Sequence, residues 1–155
     1  MAIIADELNL LEIFTDLGKV CKTKAVCGNC AEKACLVGYA KNAAAECRIE
    51  KCAGLLDGFE NIPPSDIRGG YDEYNVLHAI AHLLLQCKDC KEEHYENCLI
   101  NIVRSCLEVI ELGEEQEYKG NVIEYLLGIA KCNPTKADII KEEYMMHKNK
   151  KQENQ

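Results

Sequence analysis

The sequence predicts an all-α protein, a bundle of five to six helices, on two observations. Apolar residues recur at helical spacing in the first segment, at Ile4, Leu8, Leu11, Ile13 and Leu17. No alternating apolar/polar run with hairpin turn chemistry occurs anywhere later. A chain of 155 residues is long enough to close a core without disulfides.

After that first helix a second is expected over 31–53, stopped by Gly54. The stretch 57–70 contains Pro63-Pro64 and Gly69-Gly70 and reads as a linker loop. It divides the chain into a cysteine-rich lobe, 1–56, and a second helical lobe, 71–148. Helices in the second lobe are expected at 72–87, 91–112, 115–132 and 135–148, interrupted at Cys90, Gly113 and Asn133-Pro134. Thr135 with Asp138 offers a start resembling a capping box, and the polar tail 149–155 is expected to be disordered.

The longest stretch free of Asp, Glu, Lys and Arg runs from Tyr74 to Cys87, short of the ~20 apolar residues that span a bilayer. The acidic start MAIIADELNLLEIF lacks the basic region of a signal peptide. These features predict a cytoplasmic protein without a membrane segment. A net charge of −8 gives no overall positive field for a phosphate backbone, despite the basic run from Lys148 to Lys151, so nucleic acid is not an expected partner. A protein or small molecule is, and self-association is left open.

In a reducing compartment, eleven cysteines point to metal or catalysis rather than to a disulfide framework, and an odd number cannot pair completely. Four fall in the series Cys21-x5-Cys27-x2-Cys30-x4-Cys35. A Cys-x2-Cys turn around Gly28-Asn29 lets two sulfurs face one centre, and the flanking thiols can complete four-coordinate binding of zinc or an iron-sulfur cluster. A helix beginning near Ala31 would add its amino-terminal dipole in favour of thiolate. Cys47 lies about 18 Å from Cys35 along a continuous helix, so Cys47 and Cys52 are expected to pack or to serve elsewhere.

A second group runs His78-x3-His82-x4-Cys87-x2-Cys90-x3-His94-x3-Cys98. Cys87 shares a helix side with Leu77, Ile80 and Leu84, while His94 and Cys98 continue in line with Ile102, Cys106 and Val109. Cys87, Cys90, His94 and Cys98 can therefore converge at an inter-helix corner as a second metal site. The spacing resembles that of the zinc knuckle, with one residue fewer in two gaps. His78 and His82, at i,i+4, read as boundary packing or as a two-imidazole clamp. Cys106 reads as core, and Cys132 is left open.

Cys87-x2-Cys90-x3-His94 between two helices also resembles the active-site motif of the carboxymuconolactone decarboxylase and alkylhydroperoxidase-D-like family, which is all-helical. The resemblance implies a thiol-disulfide, peroxide-reducing enzyme: Cys90 the attacking thiol, Cys87 the resolving one and His94 the base. Position 75 holds Asn, so Glu73 would stand in for that family's upstream glutamate. No nucleophile elbow, phosphate-cradling Gly-rich loop or His-Glu-x-x-His occurs, and Glu114, Glu115 and Glu117 read as a solvated face. The leading expectation is a metal-binding protein, iron-sulfur or zinc, with a structural, redox-sensing or metal-accessory role. The enzyme is the alternative.

Overall fold

The computed structural model describes residues 9–22, 26–28, 30, 32–67, 69–86, 97–118 and 121–153. Among them the fold is an all-α bundle of six helices with no strand. These are α1 (Leu10–Val20), α2 (Leu36–Glu50), α3 (Glu73–Gln86), α4 (Leu99–Leu112), α5 (Val122–Cys132) and α6 (Pro134–Glu153), with a 3-10 turn at Glu32–Ala34. None of these helices is long and apolar enough to cross a membrane.

Local chemistry explains where the helices begin and end. Asn9 caps α1 by accepting from the Glu12 N–H at 3.0 Å. The helix expected from 31 begins only at Leu36, because Cys35 is extended (φ −89, ψ 136) and the residues before it form the 3-10 turn. It ends at Glu50, short of 53, on Lys51 in the left-handed conformation. The helix expected from 115 starts at Val122, capped by the Asn121 side chain. The loop before it is held out of helix by a buried partner, Glu108, whose Oε1 accepts the Gln116 N–H at 2.9 Å. Asn133, not Thr135, starts α6: its side chain accepts from Lys136 N–H, and Pro134 fills the first helical position, where no N–H donor is needed. The backbone of α6 continues to Glu153, past the expected boundary at 148.

α3 is the centre of the bundle, with Val76, Leu77, Ile80, Ala81 and Leu84 all buried. α1, α4 and α6 pack around it, and α2 lies against α1 and α4. Buried Leu36 and Val37 start α2, and along its middle the inward residues are small, Ala40, Ala43 and Ala44, which lets its backbone approach its neighbours closely there. One apolar core runs through both expected lobes, from Leu17 and Leu36 to Leu84, Ile102 and Ile140. Burial of this continuous kind is the main stabilising contribution in a helical fold.

The 57–70 loop is tied to that core rather than hanging from it. The Tyr39 hydroxyl donates to the Gly58 carbonyl at 2.6 Å, and Phe59 N–H donates to Asn97 Oδ1 at 3.0 Å. A short antiparallel bridge joins Gly54 to Cys98, with Leu55 N–H on the Asn97 carbonyl and Leu99 N–H on the Ala53 carbonyl. The loop thereby brings Tyr71 back against the cysteine-rich segment.

Candidate functional site

Cys21, Cys27, Cys30 and Cys35 line one cavity of about 350 Å3. Each reaches it from a different piece of local structure. Cys21 is the extended residue that ends α1, Cys27 precedes Gly28 with its positive φ of 78, and Cys35 is the N-cap of α2. Cys30 is exposed and the other three are half-buried. Phe14, Val37 and Tyr71 form apolar wall, and Lys22 and Lys41 bring positive charge to the same cavity. The Lys22 ammonium also stands 5.3 Å from the centre of the Tyr71 ring.

The thiols carry no side-chain capping bond into α2, so the amino end of that helix is available to favour negative charge at Cys35. The sulfurs are spread: among the described residues, no three of these four lie within 4.8 Å of one another. Four thiolates around one zinc, at a Zn–S bond of about 2.3 Å, would sit only about 3.8 Å apart. A four-iron cluster takes a wider arrangement, because there each thiolate binds a different iron.

The remaining sequence candidates are distributed differently. Cys87, Cys90 and His94, and with them the peroxidase-like motif, lie outside the described residues. Cys98 is buried as the N-cap of α4. It neighbours Cys47 and Cys52: burial, then the Cys52 thiol and the nearby Cys98, push the Cys47 thiol up to about 12. α2 is continuous, so Cys47 is kept apart from Cys35 as its helical distance requires. Cys106 is core, its thiol pushed well up by burial, and Cys132 is exposed.

A second cluster was only half visible in the sequence. His78 and His82 on α3 meet Glu143 and His147 on α6, with Asp16 of α1 behind His82. His82 Nδ1 lies 2.8 Å from Asp16 Oδ2, and its Nε2 lies 3.1 Å from Glu143 Oε1. His147 Nε2 is 2.6 Å from the same Glu143 oxygen, and His78 Nε2 is 3.6 Å from the other. The His82 and His147 rings meet edge to face at 4.7 Å. The bond to Asp16 raises the His82 pKa in spite of burial. Burial would raise Glu143, but the His82 and His147 imidazoles bring it below its ordinary value. The signal in the sequence was a pair of i,i+4 spacings, His78/His82 and Glu143/His147; what pairs them is the packing of α3 on α6.

No family model, curated protein or solved structure matches the chain.

Proposed function

We propose that this protein binds an iron-sulfur cluster through Cys21, Cys27, Cys30 and Cys35 and serves as a redox-sensing or metal-accessory protein. The observation that carries the reading is the meeting of all four thiols at one cavity, a donor set that suits an iron-sulfur cluster and, as the alternative, zinc. Lys22 and Lys41 against the single carboxylate Glu32 leave the cavity lining net positive, which fits a negatively charged thiolate-bound cluster. Exposure of Cys30 leaves one edge open to an oxidant or to a partner, a protein or small molecule, which favours sensing or transfer over a purely structural role.

The test is anaerobic purification with iron and sulfide analysis. The expected product is brown, with broad visible absorption and about four irons and four acid-labile sulfides per chain. Cys30→Ser should lose most of the iron while helical circular dichroism is retained. A colourless wild-type protein holding zinc at these thiols, or iron content untouched by Cys30→Ser, overturns the reading.

A further inference from the structure

We infer that His82, His147 and Glu143 form a binding site for a divalent first-row transition cation, separate from the cysteine-lined cavity, with His78 at its edge. The inference does not rest on the cluster reading. Imidazole and carboxylate together are a donor set for zinc, iron, cobalt or nickel, whereas magnesium and calcium take oxygen alone.

Geometry carries the argument. A single carboxylate collects the Nε2 atoms of three imidazoles, at 3.1 Å for His82, 2.6 Å for His147 and 3.6 Å for His78. Donor atoms of a tetrahedral cation with bonds of about 2.1 Å stand about 3.4 Å apart. The donor atoms of His82, Glu143 and His147 all lie within 4.8 Å of one another, so a cation enters among these three by rotation of side chains already facing one carboxylate, while His78 reaches only its far oxygen. Three of the chain's four histidines meet here, from two helices, each as an i,i+4 neighbour of another ligand. A simple ion pair between α3 and α6 would need only one of them.

The group behind His82 supports the same conclusion. A metal-bound imidazole ordinarily donates its other ring N–H to a carboxylate, which fixes the tautomer and the ring plane. Asp16 occupies that position, 2.8 Å from Nδ1, and leaves Nε2, 3.1 Å from Glu143 Oε1, as the atom on which a cation would replace the proton now shared with that carboxylate. Glu12, the other carboxylate on this side, accepts from Gln86 Nε2 at 3.3 Å. The cation is thereby assigned to the Nε2 side, and Asp16 is a positioning residue. Glu143 is only 11 % exposed and His82 15 %, while His147, at 34 %, opens the site to an entering ion.

The test is titration of the reduced, chelator-treated full chain with Zn2+, read from the ring nitrogen and proton resonances of the histidines. The rings of His82 and His147 should shift together and saturate once any Zn2+ taken by the thiols is accounted for, in wild type and in Cys30→Ser alike. Glu143→Gln should abolish the joint shift, and Asp16→Asn should weaken binding roughly 10-fold or more while retaining it. Co2+ in the Cys30→Ser chain should add a visible d–d spectrum without thiolate charge transfer from these ligands. Wild-type His82 and His147 rings unmoved at saturating Zn2+ would overturn the assignment whether or not any variant folds. So would a joint shift that survives Glu143→Gln.

Discussion

Tyr71 and Cys35, on either side of the Pro/Gly loop, meet across the cysteine-lined cavity, with the phenol oxygen 3.6 Å from Sγ. The same hydroxyl donates to Asp66 Oδ1 at 3.3 Å. Burial, then the Cys35 and Asp66 neighbours, push the Tyr71 pKa far up, so the group keeps its proton. A phenol that keeps its proton can turn it from Asp66 to Cys35 once that sulfur is a ligated thiolate.

Tyr71→Phe tests that switch. Hydrogen bonds to cluster sulfurs stabilise the more negative, reduced state, so the variant should load normally but show a lower reduction potential in an anaerobic redox titration. Its stability should fall by only about 1 kcal/mol. An unchanged potential would mean that the hydroxyl stays on Asp66.

Gly38→Ala should damage the same cavity through the backbone. A Cβ at Gly38 would stand 2.0 Å from the Glu32 carbonyl oxygen, and the turn containing Glu32 leads directly into Cys35. Crowding of this kind costs about 1–3 kcal/mol, and the displaced turn should lower iron retention as well as urea stability. Gly18→Ala is the control. That glycine is exposed inside α1 with nothing within 4 Å of the added atom, so alanine there should stabilise by about 0.5–1 kcal/mol.

A third expectation concerns the polar group buried inside the second half of the bundle. Arg104 Nε donates to Glu108 Oε2 at 3.1 Å, and the Tyr125 hydroxyl donates to the same oxygen. Both Arg104 and Glu108 are almost wholly buried. The Arg104 guanidinium also lies 4.7 Å from the Tyr118 ring centre and 5.3 Å from that of Tyr125. Arg104→Leu strands a carboxylate in the core and should cost about 3–5 kcal/mol in urea unfolding. The double variant Arg104→Leu/Glu108→Leu should recover a large part of that loss, because it removes both charges together. A double variant as unstable as the single one would show that the pair is net stabilising.

Helical class and core composition were legible from spacing, since a 3.6-residue period is local information. The stripe of Leu77, Ile80 and Leu84 expected to face the core does so, as do Ile102 and Cys106. That Cys21, Cys27, Cys30 and Cys35 line one cavity could be expected because all four lie within one short segment around a turn. Three matters were settled by tertiary structure alone. The 113–118 stretch stays out of helix because a buried carboxylate from α4 takes the Gln116 N–H, a partner no local pattern reveals. The lobes drawn on either side of 57–70 share one core, because the small-residue face of α2 packs on α4 across the loop. His82 meets Glu143, 61 residues away, through the docking of α3 on α6. Residue type and spacing along one helix are written in the sequence; which two helix faces meet depends on how the whole apolar surface is buried at once.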